Sequence, residues 1–266
     1  MKKEIANRPP TVWLVGAGPG DPELLTRKAV RLIRQASVVL VDDLVGAGVL
    51  RFARRGARIV HVGKRGGCAS TPQDFIDKLM VAEALRGERV VRLKGGDPFL
   101  FGRGGEEMDT LRAHGIAVEV VPGISAGFAA AATLQTALTH RDHAHGVLFV
   151  TGHPRPGGKP LDWRALGAAA AEGITLVVYM GVAQAGELQA GLLQALSPAT
   201  AVAVVQHASL PQQRQAVCRL DGLAELIRSE QLGSPAVIVV GEVLKALGAL
   251  ATAPTEQPAA RVSNRR

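Results

Sequence analysis

Aromatic side chains are scarce in this 266-residue chain, where six Phe, two Trp and one Tyr make up 3% of the residues. Binding of single strands relies on aromatic rings that stack against bases, so this supply argues against a nucleic-acid partner. Cysteine is rarer still. Cys68 and Cys218 lie far apart, without a second cysteine or a close histidine at zinc-ligand spacing. That excludes a disulfide framework and a structural metal, and it fits a reducing cytoplasm. No run of about 18 apolar residues occurs, and residues 1–10 are charged and end in proline, without the apolar core of a signal peptide. A soluble cytoplasmic protein with no membrane partner is expected.

Apolar residues are plentiful, at 47%, enough for one large or two modest α/β domains. So is positive charge, +8 at neutral pH and supplied mostly by arginine. Arginine favours planar, bidentate recognition of carboxylate or phosphate. The basic residues are spread along the chain, which suits a polyanionic small molecule better than nucleic acid.

Val- and Ile-rich runs at 12–15, 38–41, 59–62, 90–93 and 118–121 alternate with amphipathic stretches at 23–34, 71–85 and 105–113. This βα alternation predicts a mostly parallel sheet covered on both faces. A small-residue segment, 125–137, reads as a tightly packed helix, and the polar T-H-R-D-H-A-H follows at 139–145. Runs then resume at 147–150, 176–179, 201–205, 215–220 and 236–240. Those around Val204 and Val217 are joined by a short proline-containing loop, 209–213, and so predict an antiparallel pair in a mixed sheet. The fold class expected is α/β, with two α/β domains: an N-terminal extension at 1–10, a first domain at 11–140, a second at 141–250 and a disordered tail at 251–266.

V-G-A-G-P-G-D-P-E-L-L-T, residues 15–26, has the strand, turn and helix context of a dinucleotide loop. Asp21 stands where the third glycine is required, and Pro19 removes an N–H donor, so a pyrophosphate fits poorly. Asp21 reads better as a helix N-cap with Pro22 as the first helical residue. Asp42, ending the second run, keeps a nucleotide reading open, since an acid there can hold a ribose. A longer glycine segment, R-L-K-G-G-D-P-F-L-F-G-R-G-G-E-E, occupies 92–107, followed by V-P-G-I-S-A at 121–126 and Y-M-G at 179–181. Ligands of open α/β sheets bind at the carboxyl ends of strands, and four such loops suggest one cleft.

Together with V-G-K-R at 62–65, T-P-Q at 71–73, L-T-H-R-D at 138–142 and V-T-G-H at 150–153, these segments resemble the tetrapyrrole methylases from about residue 12 to residue 243. The resemblance implies a homodimer of two α/β domains with the active site in the interdomain cleft. It implies transfer of two methyl groups from S-adenosyl-L-methionine to C2 and C7 of uroporphyrinogen III, leaving S-adenosyl-L-homocysteine and giving precorrin-2, the branch point toward siroheme, cobalamin and haem d1. By the same resemblance, cofactor contacts fall on Pro19, Gly95, Gly96, Asp97, Leu100, Ser125, Ala126, Met180, Ala208 and Ala236. A proton acceptor falls on Asp42 and a proton donor on Lys64, while Arg103, Glu106, Arg141 and Met180 fall where the tetrapyrrole binds. The chain departs from the family at Ala69, commonly a histidine, and at His207, Ala208 and Ser209, commonly N-G-T. Because the match begins near the N-terminus, no fused oxidase and chelatase module is expected. The alternatives are a sister methylase acting on a later corrin intermediate and, from another class, a basic nucleotide- or RNA-binding protein.

Displacement at a sulfonium by an electron-rich pyrrole carbon needs alignment above all. The methylated ring must then lose or redistribute a proton, which gives Asp42 the role of base and Lys64 that of managing a second proton. From the residues alone, Asp42 also reads as a helix cap, Lys64 as a solvated lysine, and Met180 as a core residue at a strand end. Uroporphyrinogen is a polycarboxylate. Arg103 stays protonated, so it is expected to anchor and stabilise charge rather than act as base, and a salt bridge to Glu106 or Glu107 is compatible with that. His140, His143 and His145 lack a ligand motif of known spacing; a polar loop beside the substrate is expected there, and no metal.

Overall fold

The structure, a computed structural model, describes residues 11–63, 71–153 and 157–245. Lys64, Cys68, Ala69, residues 1–10 and the expected tail lie outside the described residues.

The first half of the chain comprises β1 (Thr11–Gly16), α1 (Arg27–Gln35), β2 (Val38–Val41), β3 (Arg58–His61), α2 (Gln73–Leu85), β4 (Val90–Lys94), α3 (Gly104–Ala113) and β5 (Ala117–Val121). Its five strands are parallel, in the order β3-β2-β4-β1-β5. Strands β2 and β4 are buried at every residue, as central strands between two helical layers are. Val12, Leu14, Leu40 and Val90 face Ile76, Met80 and Leu111 from α2 and α3, while Val15, Val39, Val91 and Leu93 face Ala29, Leu32 and Ile33 of α1.

The second half comprises α4 (Ala126–Thr133), β6 (Gly146–Thr151), α5 (Trp163–Ala171), β7 (Ile174–Tyr179), α6 (Ala185–Leu192), β8 (Ala201–Gln206), β9 (Arg214–Arg219), α7 (Leu223–Ser229) and β10 (Ala236–Val240). Its sheet, in the order β6-β7-β10-β8-β9, is mixed: β6 and β7 are parallel, and β10 runs antiparallel to both β7 and β8. The expected antiparallel pair of β8 and β9 is present, with Val204 opposite Ala216. Helices α5, α6 and α7 cover one face, and the alanine-rich α4 covers the other, packing against Val177, Ala203 and Val239. The fold is thus α/β with one parallel and one mixed sheet, as the run pattern implied.

Some local expectations need correction. Asp21 does cap, its Oδ1 accepting the Glu23 amide at 2.8 Å, but what it caps is a single turn of 3₁₀ helix with Pro22 at its start. The chain straightens at Leu25, and α1 begins afresh behind Thr26, whose Oγ1 accepts the Ala29 amide at 3.1 Å. The helix-cap reading of Asp42 fails: helical backbone resumes only at Ala47, behind Gly46, and the Asp42 Oδ1 accepts the next amide, Asp43, at 2.9 Å. Helix α4 stops at Thr133, short of 137, where Gln135 turns to a φ of 52°.

Candidate active site

Strands β4, β1 and β5 lie side by side, so the loops leaving their carboxyl ends touch. The Ala17 amide donates to the Lys94 carbonyl at 2.7 Å, and Gly18 and Gly96 pair in both directions, at 3.3 and 2.7 Å. A Cβ on Gly16 would stand 2.5 Å from the Gly123 nitrogen and 2.7 Å from the Gly96 oxygen. The first glycine of the opening motif therefore admits neighbouring backbone, not a ligand. Asp97 fastens two of these loops: its Oδ1 accepts the Phe99 amide at 2.8 Å and its Oδ2 the Gly123 amide at 3.1 Å.

The second sheet meets this rim with one of its edges. Strands β6, β7 and β8 point the same way and β10 the opposite way, so Thr151, Tyr179, Gln206 and Ala236 share that edge. The Tyr179 hydroxyl is 2.7 Å from Ser125 Oγ and accepts the Gly127 amide at 2.7 Å. Burial pushes the tyrosine's pKa up, against the opposing pull of these two hydrogen bonds. The Asp21 amide donates to Ser209 Oγ at 3.1 Å, and Gly20 abuts Leu210. Phe99, Phe101, Ile124 and Met180 present exposed apolar surface here, and the Phe101 ring lies 5.1 Å from that of Tyr179. Phe101, Arg103, Met180, His207 and Ser209 all have φ between 51° and 67°, a conformation that non-glycine residues hold only under constraint and that concentrates at functional sites.

Beneath the rim lies a charged cluster. Arg92 and Lys94 on β4 and Glu107 on α3 are at most 2% exposed. Glu107 Oε1 accepts from Arg92 Nε at 3.1 Å, Lys94 Nζ at 2.9 Å and Gln73 Nε2 at 3.2 Å, while its Oε2 is buried without a partner. Burial, followed by the neighbouring Arg92, pushes the Lys94 pKa down, and Glu107 pulls against both. Arg92 Nη2 reaches Asp42 Oδ2 at 3.7 Å. At the surface, Arg103 pairs with Glu106 through Nε at 3.0 Å and Nη2 at 2.6 Å. That hydrogen bond raises the guanidinium's pKa.

The structure thus brings Pro19, Gly95, Gly96, Asp97, Leu100, Ser125, Ala126 and Met180 onto converging loops, with Asp42 at the neighbouring strand end and the Arg103–Glu106 pair at the start of α3. Ala208 and Ala236 lie on the matching edge of the second sheet; Ala208 is buried in the core beneath α4, and Ala236 is half-buried. Arg141 is placed elsewhere. Its turn, closed by the His140–Ala144 bridge, precedes β6, and His145 bonds to Gly173 at the amino end of β7. The length of β7, about 17 Å at ~3.3 Å per residue, separates that end from Met180. The His140 and His143 rings stack at 4.7 Å, and among the described residues no group of His, Cys, Asp and Glu is disposed to hold a metal ion. No helix among them is long and apolar enough to cross a membrane.

Sequence reasoning missed Arg92, Lys94, Glu107 and Tyr179. The available signal was two cations at alternate positions of a run otherwise buried on both faces. A cation facing a sheet's covered side requires a buried anion, and Glu107 is that anion.

The rim suits an adenosyl sulfonium. Pro19 has no amide hydrogen to offer a pyrophosphate and the Asp97 carboxylate is turned onto loop amides, whereas the exposed apolar side chains suit a flat, largely neutral adenosine.

The family model for Tetrapyrrole (Corrin/Porphyrin) Methylases matches residues 11–224. Uroporphyrinogen-III C-methyltransferase of Pseudomonas aeruginosa is 53% identical over 238 residues, 88% of this chain and 94% of that one. A siroheme synthase of Chromobacterium violaceum is 50% identical over 250 residues, 92% of this chain, which spans about half (53%) of that longer protein. Among solved structures, the Thermus thermophilus uroporphyrin-III C-methyltransferase complexed with S-adenosylhomocysteine superposes with a TM-score of 0.75, is 42% identical, and covers 89% of this chain and 99% of its own.

Proposed function

The chain belongs to the tetrapyrrole (corrin/porphyrin) methylases, and on that premise we propose that it methylates uroporphyrinogen III at C2 and C7 to give precorrin-2, with S-adenosyl-L-methionine as donor. Near-complete overlap with the Pseudomonas methyltransferase carries this reading. The product feeds siroheme, cobalamin or haem d1. The working form is a cytoplasmic homodimer of two-domain chains.

The cofactor supplies an electrophilic methyl carbon on a sulfonium. The loops at 16–21, 95–103 and 122–127, with Met180, His207 and Ser209 opposite, align that carbon with the substrate ring and exclude water. Alignment is the larger part of such a displacement. Arg103 anchors a substrate carboxylate; its pairing with Glu106 aims the guanidinium, which is charged at any working pH. The Asp42 carboxylate accepts the proton released from the methylated carbon, and Lys64 acts as proton donor. Arg141 lies on the turn that precedes β6, at the amino end of the β6–β7 pair.

Incubated anaerobically with uroporphyrinogen III and S-adenosyl-L-methionine, the purified protein yields a product heavier by two methyl groups. An unchanged substrate mass, with turnover of a later corrinoid instead, would overturn the substrate. Arg103→Ala keeps S-adenosylhomocysteine affinity and loses turnover; lost affinity in a folded variant contradicts its substrate role.

A further inference from the structure

We propose that Arg92 is a positioning residue for the Asp42 carboxylate, a rigid bridge that transmits the buried Glu107 anchor to the proton acceptor. The inference rests on the reading of Asp42 as that acceptor and adds what holds it in place. Arg92 uses two edges of one planar group: its Nε bonds Glu107 Oε1 at 3.1 Å, and its Nη2 faces Asp42 Oδ2 at 3.7 Å. Arg92 and Glu107 are 2% and 0% exposed, whereas the Asp42 side chain is 33% exposed. The guanidinium therefore runs from an interior fixed point to a carboxylate at the edge of solvent.

The charge balance points the same way. Arg92 and Lys94 are two cations, and both bond the same oxygen of one interior carboxylate. Their surplus positive charge has Asp42 as its next carboxylate, facing Arg92 directly and Lys94 at longer range. Asp42 is thus the solvent-side end of the cluster. Its own Oδ1 accepts the Asp43 amide at 2.9 Å, leaving Oδ2 as the oxygen that Arg92 steers.

A double-mutant cycle tests this in the full-length protein, with kcat read beside the Kd for S-adenosylhomocysteine and the KM for S-adenosylmethionine. Asp42→Asn lowers kcat by about a hundredfold or more, the range of a lost general base. Arg92→Met lowers it by about a hundredfold, as a misaligned group does, with both cofactor constants unchanged. Arg92→Lys keeps the charge but lacks the planar fork, and falls between Arg92→Met and wild type. Combining Arg92→Met with Asp42→Asn costs nothing beyond Asp42→Asn alone, because the effect passes through Asp42. If Arg92→Met does not fold, the cycle is read with Arg92→Lys. Losses that multiply in the double variant, or an unchanged kcat in a folded Arg92 variant, overturn the proposal while leaving the Asp42 reading intact. Wild-type turnover in Asp42→Asn overturns both.

Discussion

Gly16 and Gly105 show how differently one residue type is used in this chain. A methyl group on Gly16 collides with backbone from two other loops, whereas one on Gly105, inside α3, meets nothing within 4 Å. Gly16→Ala is expected to lower unfolding stability by about 1–3 kcal/mol, the usual cost of overpacking. Gly105→Ala is expected to raise it by up to about 1 kcal/mol through helix propensity. Urea titration of both variants checks the contrast, and equal midpoints would refute it. Tyr179→Phe leaves the Ser125 hydroxyl and the buried Gly127 amide without their shared partner, a loss of about 1–3 kcal/mol, again read by denaturation. The resemblance placed Asp97 and Ser125 at a site and the opening motif put Gly16 on a loop of the same cleft, but what each one touches was not legible. Gly16 meets Gly123 only because β4 and β5 flank β1, and strand order is not written in any local pattern. Asp42 illustrates the same limit, since nothing local says that the chain turns before its next helix begins.

At the level of elements, every apolar run became a strand, in the parallel sheet and in the mixed one alike, because short β-branched runs bounded by turn residues read as strands in either setting. The polar members of those strands were harder to read. Arg92 and Lys94 alternate with apolar residues inside β4, and their anchor sits on a helix thirteen or more positions away, where only tertiary packing joins them. On the edge strand β9, Cys218 has its thiol pushed up to about 11 by burial and, secondarily, by Asp221. The reactive thiolate is therefore suppressed in the folded state. At pH 8, iodoacetamide is expected to label the Cys218 peptide much more slowly in the native protein than in urea, as followed by peptide mass. Equal rates would show that the strand does not shield it.

The whole molecule is held together where it works. Asp21 to Ser209, Gly20 against Leu210, and Ser125 to Tyr179 all join loops at the rim of the first sheet to the second sheet or the loop that leaves β8. A ligand seated there contacts both halves and stabilises the folded state by mass action. S-adenosylhomocysteine is expected to raise Tm with concentration and to slow amide exchange in 16–21 and 207–213 together; protection confined to one segment would contradict a shared site. Two halves were visible in the sequence, as runs before and after 125–145, but the packing of one half's loops on the other's edge was not. The left-handed backbone of Phe101, Arg103, Met180, His207 and Ser209 has a consequence for how this enzyme can change over generations. Glycine at Met180 or His207 would relax the chain by up to about 1 kcal/mol, so lineages selected for heat tolerance would be drawn to positions on the rim itself. Survival at higher temperature would then have to come from sites distant from the rim, and the rim would stay the least thermally adapted part of the molecule.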